Sequence, residues 1–151
     1  MAPSATDGRD GAGAEPDAPE VGRGAVACGA VATLSALGGI AVAVLLDPTF
    51  SWATDALSDL GVRDGSAAAF NWGLIAGGAA GVCYAAGLGR GGRPVRALLL
   101  ALAMVAMAGV GVFDLTEPLH APAAIGFYGL VTAVFAVDGW FRRRESTGRV
   151  A

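Results

Sequence analysis

The sequence has no lysine and little charge of either sign: only 15% of its 151 residues are charged. Soluble domains usually have about 25% charged residues. Hydrophobic residues make up 54% of the chain, and 24 glycines add to its apolar share. Too few polar side chains remain to cover a globular surface, which excludes a soluble globular protein.

Two other classes are excluded by what is scarce or irregular. The two cysteines are too few for a disulfide-rich scaffold. The glycines keep no triplet period, so the chain is not collagen-like. No phosphate-binding loop, nucleotide fingerprint, nucleophile elbow or nucleic-acid motif is present, and we expect no nucleic-acid partner. An integral membrane protein remains.

Four long uncharged segments account for the apolar excess. A bilayer core about 30 Å thick needs roughly 20 helical residues to cross it. Continuous apolar segments of this length favour helices over barrel strands, whose residues alternate. The sequence therefore predicts an all-α integral membrane four-helix bundle over residues 23–141, with the lipid bilayer as its environment. The predicted spans are about 24–46, 67–89, 95–113 and 119–141.

The arginines are distributed unevenly around these spans. Nine of the ten lie on one side of the predicted membrane, and Arg63 lies on the other. By the positive-inside rule, both termini are cytoplasmic in a multi-pass protein of the plasma membrane. The nine arginines are Arg9, Arg23, Arg90, Arg93, Arg96, Arg142, Arg143, Arg144 and Arg149.

The segments outside the spans have simple compositions. Residues 1–22 are acidic, lack a hydrophobic period and predict a disordered tail. Residues 142–151 predict a basic cytoplasmic tail, and Asp138 is expected to pair with Arg142 one helical turn on. Cys28 and Cys83 lie at similar depth near the cytoplasmic side, where unpaired apolar cysteines are expected.

The second span has small residues at every fourth position: Gly73, Gly77 and Gly81 continue into Ala85 and Gly89. Such a face lets two membrane helices approach closely. We expect it to pack against another helix, and the sequence leaves open which one.

Two connections on the outer side hold most of the polar chemistry. Loop 1 (residues 47–66) has apolar residues at helical spacing, with Asp47 and Pro48 as a helix start and Gly61 as a stop. It predicts a short helix on the outer interface, anchored by Trp52, with Asp55 and Asp59 on one face. Loop 3 (residues 114–120) ends at His120, the only histidine of the chain.

Together the two loops form an acidic outer cluster in which Arg63 is the only cation. Crowded like charges at a low-dielectric boundary repel unless a cation or hydrogen bonds compensate them. Asn71 lies just inside the second span. The acidic members of the cluster are Asp47, Asp55, Asp59, Asp64, Asp114 and Glu117.

Two sequence patterns resemble the prokaryotic membrane-protein family of unknown function DUF998. One is the Ser58-Asp59-Leu60-Gly61 motif followed by the Phe70-Asn71 pair, and the other is the acidic stretch from Asp114 to His120. Members of that family usually have about six spans, so the resemblance implies a short four-span member. It also raises the possibility of a homo-oligomer or a second membrane subunit. The family carries no established activity.

Three interpretations of the outer cluster remain open. In the first, its residues cap helices and hydrogen-bond across the bundle, with Asp59 pairing with Arg63 and His120 bonding a carboxylate. In the second, His120, Asp114 and Asp59 form a metal or acid/base site of a lipid-modifying enzyme, with Ser58, Arg63, Asn71 and Glu117 nearby. In the third, the chain is a subunit of a transporter or cation-conducting oligomer. No cofactor is indicated.

Overall fold

The computed structural model describes residues 21–147, with side chains through Arg143. The predicted acidic tail and the last residues of the basic tail lie outside this range. The described residues form four α-helices and a 3-10 helix, Leu57–Gly61, with no strands among them. The α-helices are α1 (Arg23–Leu46), α2 (Ala67–Arg90), α3 (Pro94–Val112) and α4 (His120–Thr147).

All four α-helices are long and apolar enough to cross a membrane. The predicted all-α membrane bundle is therefore confirmed. Pro94 occupies the first turn of α3, where its missing N–H costs nothing. The tight turn before it contains Gly92 at φ +76°, a left-handed conformation that glycine adopts without strain.

The helices pack in the order of the sequence. α1 packs on α2, α2 on α3, and α3 on α4. Within the described residues, α4 has no extensive interface with α1 or α2. The bundle is therefore open between α1 and α4. We call its end with loops 1 and 3 the loop end, and the opposite end the arginine end.

Glycines set the distance between α2 and its two neighbours. A Cβ on Gly73 would lie 2.7 Å from Gly39 Cα of α1, and one on Gly77 would lie 3.0 Å from Ala32 O. A Cβ on Gly81 would collide with Met104 of α3. The small residues of α2 thus serve two interfaces: Gly73 and Gly77 face α1, whereas Gly81 faces α3.

Cys28 of α1 and Cys83 of α2 form a disulfide, with their Cα atoms 6.0 Å apart. The prediction of unpaired cysteines is therefore wrong. The prediction relied on the reducing cytoplasm, but both residues lie within spanning helices and face each other across the closely packed α1–α2 interface. Their Cα separation is typical of disulfides.

Asp138 of α4 forms two ion pairs at the arginine end, one of them with α3. Arg96 of α3 contacts the Asp138 carboxylate at 3.0 Å, and Arg142 contacts it at 2.7 Å from one turn further along α4. The predicted pair of Asp138 with Arg142 is present, and Arg96 adds a contact between helices. The Arg96 guanidinium also lies over the Phe141 ring, 5.3 Å from its centroid.

Loop 1 is helical only over its 3-10 helix, Leu57–Gly61, so the predicted short helix beginning at Asp47 and Pro48 is wrong over its first part. Asp47 Oδ1 accepts hydrogen bonds from the Thr49 amide at 2.9 Å and the Thr49 hydroxyl at 2.6 Å. This local bonding gives the backbone an alternative to the helix, as short polar side chains commonly do. The 3-10 helix ends at Gly61, where the sequence predicts a stop. Trp52 is 71% exposed and makes an edge-to-face contact with Phe50.

Candidate ligand-binding cavity at the loop end

A cavity of about 440 Å³ lies in the half of the bundle nearest the loop end. Its wall is formed by parts of all four α-helices, and the start of the 3-10 helix covers its loop side. Most of the lining is apolar, with Phe70 and Leu74 of α2 and Met107 of α3 as its buried floor. Its volume falls within the roughly 300–1,000 Å³ typical of small-molecule sites.

The mouth of the cavity lies between α1 and α4. Leu37 of α1 and Tyr128 of α4 both line it, yet they are 62% and 66% exposed. These helices have no extensive mutual interface, so the cavity opens between them toward the surface that a bilayer would surround.

His120 is the most buried polar residue of the lining, at 7% exposure. Its Nδ1 lies 2.7 Å from the carbonyl oxygen of Phe113, at the end of α3. A carbonyl oxygen only accepts hydrogen bonds, so Nδ1 is the donor and carries the proton. In the neutral ring the lone pair is then on Nε2, which has no hydrogen-bond partner among the described residues.

Ser58 lines the same cavity from the 3-10 helix. No hydrogen bond holds its hydroxyl within the described part of the chain. A serine hydroxyl both donates and accepts hydrogen bonds, whereas the neutral imidazole of His120 accepts at Nε2. The lining thus combines a large apolar surface with two polar groups that remain free to bond a ligand.

The 3-10 helix is fixed over the cavity by three polar side chains. Asp59 Oδ2 accepts a hydrogen bond from the Ala56 amide at 2.9 Å, which caps the start of the helix. The fully buried Ser66 donates from its hydroxyl to the Leu60 carbonyl at 2.9 Å. Asp59 therefore caps the helix and does not pair with Arg63, contrary to the expectation of an ion pair.

The third side chain is Asn71, whose Nδ2 donates to the Gly61 carbonyl at 3.0 Å. A Cβ on Gly61 would lie 2.8 Å from Asn71 Oδ1 and 3.1 Å from Phe70 Cδ1, so any larger residue here would displace these side chains. Asn71 Oδ1 itself is buried without a partner. The Phe70-Asn71 pair thus holds the end of the 3-10 helix against the start of α2.

Arg63 compensates two of the loop 1 carboxylates. Its Nη1 lies 2.9 Å from Asp47 Oδ2, and its Nη2 lies 2.9 Å from Asp55 Oδ2. The Thr49 hydroxyl and then the Arg63 guanidinium lower the pKa of Asp47 from 3.8 to about 2, against an opposing effect of burial. Hydrogen bonds from the Ser51 amide and then Arg63 also lower the pKa of Asp55.

The acidic residues of loop 3 lie in a separate turn. Asp114 Oδ1 accepts hydrogen bonds from the Thr116 hydroxyl at 2.5 Å and the Thr116 amide at 2.9 Å. These two bonds, with a smaller effect of the His120 charge, lower the pKa of Asp114. Glu117 is exposed. His120 bonds the Phe113 carbonyl rather than a carboxylate, which corrects that expectation.

Of the residues predicted for a site, the structure brings Ser58 and His120 to the wall of one cavity. The carboxylates of Asp59 and Asp114 bond the backbone beside them, and neither residue lines the cavity. Among the side chains that the structure describes, no group of three or more histidine, cysteine or acidic residues is arranged to hold a metal ion.

Sequence reasoning missed the apolar part of the site. Phe70, Leu74 and Met107 are ordinary apolar residues within predicted spans, and no local pattern separates a cavity wall from a packed core. Tyr128 offers the one available signal, since it is a polar aromatic residue two turns beyond His120 on α4.

The family profile described as "Protein of unknown function (DUF998)" matches residues 30–151. The chain belongs to this family. The DUF998 match includes the whole cavity lining and both outer loops, whereas Cys28 of the disulfide lies before its first residue. No curated protein and no solved structure matches the chain.

The two motifs that resemble DUF998 have distinct structural roles here. In the Ser58-Asp59-Leu60-Gly61 motif, Ser58 lines the cavity, Asp59 caps the 3-10 helix and Leu60 is fully buried. In the stretch from Asp114 to His120, a carboxylate-capped turn leads into α4 and places its first residue, His120, in the cavity wall. Both motifs therefore shape one end of the same cavity.

Proposed function

We propose that this DUF998 protein binds the hydrocarbon chain of a membrane lipid in the cavity between α1 and α4. The observation that carries this proposal is the combination of an apolar cavity with a mouth on the membrane-facing side of the bundle. Chain binding transfers apolar surface of the ligand onto the apolar lining, while Ser58 and His120 mark where the polar part of the lipid lies.

The same proposal gives the acidic outer cluster a supporting role. Arg63 ties Asp47, at the end of α1, to Asp55, just before the 3-10 helix. Asp59 and Asn71 then hold the 3-10 helix over the cavity. The charged residues of loop 1 thereby maintain the cover under which the ligand lies.

We further propose that the loop end faces the exterior of the plasma membrane and that both termini are cytoplasmic. The support is the nine-to-one distribution of arginine, because positively charged segments are retained on the cytoplasmic side. The cavity then lies in the outer half of the bilayer and takes its ligand from the outer leaflet.

Photolabelling with an alkyl probe tests the binding proposal. The probe is a long-chain alkyl methyl ether carrying a diazirine on its chain, added to the protein in phosphatidylcholine nanodiscs. We expect peptides from the α4 segment around Ala124 to be labelled, and an excess of the unmodified ether to compete. In Ala124→Phe, the larger side chain fills part of the cavity, so labelling there should fall several-fold.

The matched control is Ala121→Phe, which adds the same side chain to the same helix at an exposed position outside the lining. It should keep the labelling of the unsubstituted protein. Uniform labelling of all lipid-facing helices, unaffected by Ala124→Phe, would contradict the proposal. A second copy of the chain filling the cavity would also contradict it; this would be observed as a dimer by mass measurement, together with loss of labelling by the probe.

A further inference from the structure

We propose that the lipid bound in the cavity is a neutral one whose first polar group is a hydroxyl, as in a long-chain alcohol or an acylglycerol. This inference rests on the proposed function and adds the identity of the polar group. The cavity combines the Nε2 acceptor of His120 with the hydroxyl of Ser58, and neither has a hydrogen-bond partner among the described residues.

The protonation pattern of His120 selects for a donor on the ligand. Because Nδ1 donates to the Phe113 carbonyl, the neutral imidazole offers a lone pair to the cavity. A ligand hydroxyl can donate to Nε2 and accept from the Ser58 hydroxyl with its own oxygen. An ether or ester oxygen can only accept, so it forms no hydrogen bond with Nε2 and binds with one hydrogen bond fewer than a hydroxyl.

The surrounding charges disfavour an anionic headgroup. The Asp114 carboxylate lies in the turn that leads into His120, and hydrogen bonds from Thr116 lower its pKa, so it is ionised at neutral pH. Asp59 and Asp64 of loop 1 and Glu117 of loop 3 add negative charge at the same end, where Arg63 is already engaged by Asp47 and Asp55. A phosphate-bearing headgroup would be repelled, whereas a hydroxyl would not.

Competition between a matched alcohol and ether tests this selectivity. A long-chain primary alcohol and its methyl ether of equal chain length each compete with the diazirine probe. One additional net hydrogen bond corresponds to about three- to tenfold tighter binding. We therefore expect the alcohol to compete at a concentration lower by that factor.

His120→Asn separates selectivity from chain binding. The asparagine amide replaces the Nδ1–H donor toward the Phe113 carbonyl but places no acceptor at the position of Nε2. In this variant the alcohol and the ether should compete equally. An alcohol advantage that persists in His120→Asn would reflect partitioning into the membrane and would overturn the inference, as would equal competition in the unsubstituted protein.

The single histidine of the chain allows a second readout that needs no substitution. With ¹⁵N-labelled histidine, we expect one protonated nitrogen and one bare nitrogen, and the bare resonance should move upfield with the alcohol but not with the ether. A proton found on Nε2 in the free protein would refute the inference. Specific labelling by the alkyl probe without alcohol selectivity would refute the inference alone, whereas no specific labelling would refute the proposed function as well.

Discussion

Arg63 shows how one side chain determines the course of a loop. It pairs with Asp47, sixteen residues earlier, and with Asp55, eight residues earlier. The sequence indicates that the acidic outer cluster needs compensation, but helical spacing suggests Asp59 as the partner of Arg63. That choice is wrong because the Asp59 carboxylate bonds the Ala56 amide, a local contact that caps the 3-10 helix.

The acid stability of the protein tests the Asp47 interactions. Asp47 has a pKa of about 2 in the folded protein, below its ordinary 3.8, so its deprotonated form stabilises the fold. This contribution is complete above about pH 4 and is lost as the pH falls toward 2. We expect the thermal unfolding midpoint in detergent to fall over this range.

Asp47→Asn should have a lower midpoint at neutral pH and a shallower fall with acid, since Asp55 and Asp114 still contribute their lowered pKa values. The control is Asp64→Asn, at an exposed position of the same loop, which should retain the full fall. Identical acid profiles for the protein and Asp47→Asn would show that Asp47 is not a stabilising group.

At the scale of elements, the four spanning helices could be predicted because the bilayer fixes their length and excludes charge from them. The partners of α2 could not be predicted, because small residues at every fourth position show only that a close approach is possible. In the structure Gly73 faces α1 and Gly81 faces α3, so the small residues of α2 belong to two different helix interfaces. The backbone course of loop 1 could not be predicted either, because its turns depend on side-chain hydrogen bonds such as that from Thr49 to Asp47.

The contact of Gly73 with Gly39 leads to a stability prediction. In Gly73→Ala, the new Cβ would lie 2.7 Å from Gly39 Cα and 2.9 Å from Ser35 O, both backbone atoms that cannot move aside independently. Forcing extra volume into such contacts costs about 1–3 kcal/mol. We expect a lower midpoint in thermal or denaturant unfolding.

Gly129→Ala provides the comparison, because nothing lies within 4 Å of a Cβ at that position of α4. Alanine favours the helix over glycine by about 1 kcal/mol, so this variant should be as stable as the parent protein or slightly more stable. If both substitutions left stability unchanged, the α1–α2 interface would be looser than the structure describes.

At the scale of the whole molecule, the membrane-protein class and the number of helices could be predicted from the sequence. The cavity, in contrast, depends on α1 and α4, which do not pack extensively on each other. The sequence placed Ser58 and His120 in one outer cluster, but with carboxylates as the expected partners. Their shared cavity arises because α4 rests on α3 and leaves α1 separate. The sequence of each span does not specify which helices pack together and which remain separated.

The proposed orientation is tested by thiol labelling in intact cells. The background is a chain with Cys28→Ser and Cys83→Ser, into which Asp64→Cys or Ser146→Cys is introduced. Asp64 is exposed in loop 1, whereas the neighbouring Ser66 is fully buried and unsuitable. A membrane-impermeant maleimide should label Asp64→Cys in intact cells and Ser146→Cys only after lysis. The reverse pattern would place the termini outside.

The arrangement of neighbours also bears on how the protein is assembled during synthesis. Each of α2, α3 and α4 packs on the helix made just before it, so this partner is already in the membrane when the new helix emerges. Contacts between elements adjacent in sequence require only short loops to close, which favours rapid folding. The helices can thus be added one at a time, and α4, inserted after the other three described helices, completes the cavity wall with His120 at its first residue.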